Sequence, residues 1–226
     1  MHIGLLLFPK LTQLDLTGPF EVFAATPGAT VHLLWKTKDP VQAITGMKIV
    51  PDTTLAECPQ LDVICVPGGS GVAAVMEDPE VLDFLRRQAA GARYITSVCT
   101  GALVLGAAGL LKGKHATTHW GSHDFLAALG AIPTKGRVVR DGNIFTGGGV
   151  TAGIDFALTL VAEMCGPTVA QSIQLQIEYA PAPPFESGSP DTAPDSVVAM
   201  ARKHLSGMRT EREALMGRVA ERLAAV

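Results

Sequence analysis

Along most of the chain, short apolar runs alternate with stretches of helical spacing, and this rhythm narrows the possible folds more than any other feature. Residues 3–8, 31–35, 62–66 and 94–98 are strand-like, with a helical pattern from Pro19, a short hairpin over 41–51 and a helix near 80–90 between them. The pattern continues with a helix opening at Gly101, a segment at 116–118 and a helix near 122–129. A hairpin follows over 138–145 around Asp141-Gly142-Asn143, then a long helix near 152–164. Parallel strands need long crossovers, and helices supply them, so this order specifies an α/β fold: a doubly wound, mostly parallel sheet with helices on both faces.

Composition fits a sheet buried on both sides, with 47% apolar residues, 17% charged, 24 Gly and 15 Pro in 226 residues. The net charge is −3 and no Lys/Arg cluster is interleaved with aromatics, which argues against a nucleic-acid partner. Residues 1–8 lack a basic flank and stop at Pro9, too short for a signal core or membrane span, so a cytoplasmic location is expected. Cys58, Cys65, Cys99 and Cys165 form no CxxC pair and are expected to remain thiols, with Cys58, Cys65 and Cys165 serving packing or loop roles. Between 180 and 195 five prolines exclude regular structure, and 196–225 is helix-forming although Gly207 and Gly217 weaken it. The expected organisation is an α/β domain over 1–180, followed over 181–226 by a Pro-rich arm and one or two helices lying on that domain or on a second subunit.

Cys99 stands out from the other thiols because it sits at an abrupt turn between the strand 94–98 and the helix opening at Gly101. A side chain there faces the carboxyl edge of the sheet, and the helix N-terminus favours its thiolate. Gly101 lets the helix start close against the strand. Asp15 is expected in the loop before a helix beginning at Pro19, near the same edge, where a carboxyl can shuttle a thiol's proton; capping of that helix is the alternative role. The run Gly147-Gly148-Gly149-Val150 links the hairpin to a helix, and its exposed N–H groups suit sulfur or a developing anion.

Other signals are weaker. Thr100 rather than His follows the cysteine and no His-x-Glu follows the glycine run, so a histidine base for amide hydrolysis is missing. Gly69-Ser70-Gly71-Val72-Ala73-Ala74 fits GxGxxA but lies outside the first βαβ unit and lacks the ribose-binding acid, so Gly69 is expected to line the Cys99 pocket instead. His115, His119 and His123 are read as structural or surface histidines, with no metal site.

The early acidic residue, the Pro67-Gly68-Gly69 loop and the Cys99-Thr100-Gly101 elbow resemble the DJ-1/PfpI superfamily, a flavodoxin-like fold. Within it the chain is similar to the isocyanide hydratase subfamily. The similarity rests on Asp15 in place of Glu, on Ala116-Thr117-Thr118-His119-Trp120, on the stretch 147–154, and on the Pro-rich tail from Glu178 through Thr192. The resemblance implies a cofactor-independent homodimer that adds water to small organic isocyanides through a covalent bond to Cys99. In it Asp15 carries the proton, Thr100 orients that carboxyl, and the backbone N–H of Val150 holds the sulfur, with Gly148, Gly149 and Gly69 around it. The same superfamily also implies rivals: a redox or stress sensor, or a glyoxalase or deglycase. The 46 residues after Ala180 contain no basic recognition helix, which argues against DNA binding.

Overall fold

The computed structural model describes residues 1–224. The chain opens with β1 (His2–Leu6), α1 (Gln13–Ala24), β2 (Thr30–Trp35), the hairpin β3 (Val41–Gln42) and β4 (Lys48–Ile49), and β5 (Thr53–Thr54). Its middle holds β6 (Val63–Val66), α2 (Val72–Met76), α3 (Pro79–Ala89), β7 (Tyr94–Val98), α4 (Gly101–Ala107) and β8 (His115–Ala116). A 3-10 turn at Trp120–Ser122 leads to α5 (Phe125–Ala128), β9 (Ile132–Pro133) and the hairpin β10 (Val138–Asp141) and β11 (Ile144–Gly147). Three helices follow: α6 (Ala152–Cys165), α7 (Pro167–Gln176) and α8 (Asp195–Ala224).

Seven strands form one sheet in the order β10-β11-β7-β6-β1-β2-β5, parallel except for the β10–β11 pair. This is the doubly wound sheet expected from the strand–helix rhythm. The strands β6 and β11 are buried at every position, because helices cover both faces. Those helices pack in two groups, α1 with α6 and α7, and α2 to α5 with α8. From β1 the chain moves to β2 on one side and later to β6 on the other, so the winding reverses between β1 and β6. A crevice opens beyond the carboxyl ends of strands at such a reversal, and it places the segments after β1, β6 and β7 side by side.

The structure moves one boundary that matters for the site. Helix α1 begins at Gln13, not at Pro19, so Asp15 lies in its first turn rather than in a preceding loop. Pro19 sits inside the helix without an N–H for the carbonyl four residues earlier, a defect that normally disfavours helix. Its ring is buried against Gly153 of α6, where an added Cβ would lie 3.0 Å from Pro19 Cδ, so tertiary packing holds the helix through the proline. The segment at 116–118 is strand only at its start, and the helix near 122–129 is a 3-10 turn plus the single turn of α5. The apolar spacing predicts neither α2 nor α7.

The terminal pattern forms one helix, α8, which runs through Gly207 and Gly217. Its expected end at Ala225 lies outside the described residues. Only Arg212, Leu215, Met216 and Val219 are buried, while Val197 and Met200 remain exposed, so the second half of α8 anchors it to α2, α4 and α5. Among the described residues no helix is long and apolar enough to cross a membrane.

Gly101 sets how closely α4 crosses β6. A Cβ there would run into the carbonyl oxygen of Val66, which is backbone and has nowhere to move. Gly101→Ala is expected to destabilise the fold by about 3 kcal/mol, the upper end of overpacking costs, read from urea denaturation.

Candidate active site

The turn between β7 and α4 puts Cys99 at φ +54°, a left-handed conformation rare for a residue with a side chain. Such a residue costs on the order of 1–3 kcal/mol and persists only where its surroundings hold it. Here both of its backbone groups are tied down: the Cys99 N–H donates to Gly147 O at 3.0 Å, and Thr118 Oγ1 donates to Cys99 O at 2.7 Å. The side chain is 5% exposed.

Asp15 is fully buried beside Cys99. The Gly68 N–H donates to Asp15 Oδ2 at 2.9 Å, whereas Oδ1 has no partner of hydrogen-bonding geometry. Burial pushes this carboxyl up to about 7, against the lowering effect of the Gly68 N–H and of the thiol. The thiol of Cys99 is pushed well up, first by burial and then by the Asp15 charge, while the Thr100 N–H and the field of Arg212 act the other way. The start of α4 favours a thiolate, while burial and the Asp15 charge act against it, so Cys99 and Asp15 form a coupled pair between which a proton can pass.

Thr100 reaches Asp15 indirectly. Its Oγ1 accepts from the Gly69 N–H at 3.1 Å, so it fixes the loop whose previous amide grips the carboxylate. The loop leaves no space for side chains: a Cβ on Gly68 would lie 2.6 Å from Thr100 N and 2.8 Å from Asp15 Oδ2. Gly69, at φ +138°, has its N–H committed to Thr100 and is therefore closed to a thiolate or substrate.

On the other side of Cys99 the loop after β11 contributes unevenly. The Gly148 N–H donates to Arg137 O at 2.9 Å and is occupied, while the N–H groups of Gly149 and Val150 meet no protein acceptor among the described residues. Arg137 also bonds Asp155 at 2.7 Å and Thr151 at 3.1 Å, which ties this loop to the start of α6.

The remaining sequence signals have structural roles. His115 Nδ1 bonds Thr134 Oγ1, His119 Nδ1 accepts from the Gly121 N–H, and His123 Nε2 bonds Thr134 O. Cys65 is buried in β6, and Cys58 and Cys165 are half-buried. A groove of about 490 Å³ lies between Trp120 and α8, lined by residues including His123, Arg202 and Arg209 but by none of the groups around Cys99.

Three contributors carry no site role in the sequence reading: Arg212, and Gly68 and Thr118, which lie inside quoted motifs without a function assigned to them. Arg212 is 6% exposed, and its Nη2 donates to Gly69 O at 2.9 Å. The sequence does carry a signal for it, since it occupies the apolar stripe of α8 three and seven residues before Leu215 and Val219.

Removing the Thr118 hydroxyl leaves the Cys99 carbonyl buried without its donor. Thr118→Val is expected to lower stability by about 1–3 kcal/mol in urea denaturation, the cost of an unsatisfied buried acceptor. The same variant should loosen the elbow, seen as faster amide hydrogen exchange at Cys99 and Thr100.

Comparison with known proteins places this architecture. Residues 1–163 match the DJ-1/PfpI family. An isonitrile hydratase of Pseudomonas putida is 62% identical over 223 residues, covering 99% of this chain and 98% of that protein. The Parkinson disease protein 7 homolog of Danio rerio is 34% identical over 142 residues, covering 61% of this chain and 75% of the relative. Among solved structures, a THiJ/PfpI family protein from Pseudomonas syringae superposes with a TM-score of 0.93 at 47% identity, covering 96% of this chain and 90% of that one. With its strained elbow cysteine and a family match across well over half its length, the chain belongs to the DJ-1/PfpI family.

Proposed function

We propose that the protein is an isocyanide hydratase, a hydro-lyase that converts R–N≡C and water to the formamide R–NH–CHO. The observation that carries this reading is the 62% identity to the Pseudomonas putida isonitrile hydratase over essentially both full lengths. The buried Cys99–Asp15 pair, with one proton to move, has the chemistry the reaction needs.

The terminal carbon of an isocyanide accepts a nucleophile and a proton at the same atom. Cys99 sulfur bonds to it while Asp15 takes the thiol proton and passes it to that carbon, giving R–N=CH–S–Cys99. Water then adds to the thioimidate carbon with Asp15 accepting one of its protons, and the nitrogen becomes N–H. The C–S bond breaks, sulfur regains a proton, and R–NH–CHO leaves. Every atom comes from isocyanide and water, so no cofactor enters the balance. Gly149 and Val150, with uncommitted N–H groups, are the donors for sulfur or the departing thiolate. Thr100 acts on Asp15 through the Gly68–Gly69 loop. In this reading the enzyme works in the cytoplasm as a homodimer.

Incubation with an aromatic isocyanide at neutral pH is expected to yield the formamide with wild type and none with Cys99→Ala. Absence of turnover across several isocyanides would sink the proposal.

The pH profile follows from Asp15. Its carboxyl is raised to about 7, so below that pH the pair is doubly protonated and has no base to take the thiol proton. The value of kcat/KM is expected to fall about tenfold per unit below pH 7 and to level off above it. A flat profile between pH 5.5 and 7 would remove Asp15 from the proton transfer.

A further inference from the structure

Helix α8 brings one cation into the interior behind the site. Arg212 is 6% exposed, its Nη1 donates to Ser122 Oγ at 3.0 Å, and its Nη2 donates to Gly69 O at 2.9 Å. Both acceptors are neutral, and among the described residues no carboxylate lies within ion-pairing distance of it. Its neighbours on the helix differ: Arg209 pairs with Asp124 and Glu213, and Arg218 pairs with Glu77. A buried guanidinium without a counter-charge is strongly unfavourable, so the surroundings must supply one.

The charged and titratable groups around it are few. Glu211 on α8 itself is exposed; His119, on the segment before the 3-10 turn, is held neutral by burial and by the arginine's field. From the elbow comes Cys99, whose sulfur and Arg212 feel each other's charge. Asp15 joins through the loop, since Arg212 holds the carbonyl of Gly69 while the amides of Gly68 and Gly69 hold Asp15 and Thr100.

We propose that Arg212 is a positioning residue for the reaction: its charge balances the single negative charge of the Asp15–Cys99 pair, and its bond to Gly69 O holds the loop that aims both partners. This rests on the hydratase reading only in naming the reaction served. The electrostatic role is measurable on the thiol itself. As sulfur takes on negative charge, the guanidinium behind the loop favours that form without touching substrate, and the C-terminal helix becomes part of the machinery although no residue of it meets the reacting carbon.

The test is the rate of Cys99 alkylation by iodoacetamide in the full chain between pH 6 and 10, mapped by mass to separate it from Cys58, Cys65 and Cys165; with the thiol pushed well up, the rate follows the thiolate fraction across this range. Arg212→Gln keeps a donor for Gly69 O but no charge; Arg212→Lys keeps the charge. The Gln variant is expected to alkylate about tenfold more slowly at each pH, with a matching fall in kcat/KM. The Lys variant is expected to stay within about twofold of wild type. A folded Gln variant with an unchanged rate overturns the proposal. Should the Arg212→Gln chain fail to fold, the Lys variant decides: a wild-type rate supports the charge role, and a tenfold slower one, or failure to fold as well, overturns it. If wild type turns over no isocyanide while the slowing in the Gln variant is still seen, the hydratase reading fails and the role of Arg212 stands.

Discussion

The left-handed turn at Cys99 is the constraint on which the site depends. A residue with a Cβ held at φ +54° stays there only because its N–H and C=O are bound to two different elements, β11 through Gly147 and the segment after β8 through Thr118. Those bonds require β7 and β11 to be in register at Val98 and Gly147. They also require α4 to leave the strand at once, which Gly101 permits by lying against the Val66 carbonyl. The strain at one residue therefore rests on the sheet order, on the hairpin that completes the sheet and on the close crossing of α4. The sulfur reaches the carboxyl edge of the sheet because the backbone cannot relax into an ordinary strand-to-helix loop.

Burial decides the chemistry of the thiol once it is there. At a helix start in water Cys99 would ionise more readily than a free thiol, but it shares a dry space with a carboxyl that is itself raised to about 7. Two adjacent groups that both resist ionisation hold a proton between them, and a reaction that needs a nucleophile and an acid at one carbon can use both. The Gly68–Gly69 loop governs this pairing. One amide grips Asp15, the next is held by Thr100, and the second carbonyl is held by Arg212, so three separate elements meet on two residues without side chains.

Much of this is legible in the sequence where local rules and tertiary structure agree. The strand–turn–helix at 94–105 and the alternation that orders the sheet depend on apolar spacing and small residues, which act over a few positions. Local rules misplace the start of α1 because Pro19 normally marks a first turn, and only its packing against Gly153, more than a hundred residues away, keeps it inside a helix. They also miss what opposes a thiolate at Cys99: a helix N-terminus is visible in sequence, whereas the burial of Cys99 and Asp15 beside each other is not. Gly69 lies in the loop that grips Asp15, but its amide is spent on Thr100 and is not free for a ligand, which its motif does not reveal. Arg212 leaves a trace as a cation on the apolar stripe of α8, yet a stripe that includes exposed Val197 reads equally well as a surface helix.

The asymmetry of α8 ties the appended helix to the function of the domain. Its first half stands largely exposed, and its second half inserts Leu215, Met216 and Val219 together with Arg212. If apolar anchorage alone were the purpose, an uncharged side chain at 212 would serve better, because desolvating a guanidinium opposes folding. The two acceptors it reaches are a serine hydroxyl and the carbonyl of the loop that aims Asp15, neither of which repays a full charge. The counter-charge we propose for it is the negative charge of the Cys99–Asp15 pair beyond that loop, with Cys99 the member that feels Arg212. Apolar burial along α8 thus supplies the free energy that keeps a cation behind the thiol, and a helix remote in sequence from Cys99 becomes one of the determinants of its proton affinity.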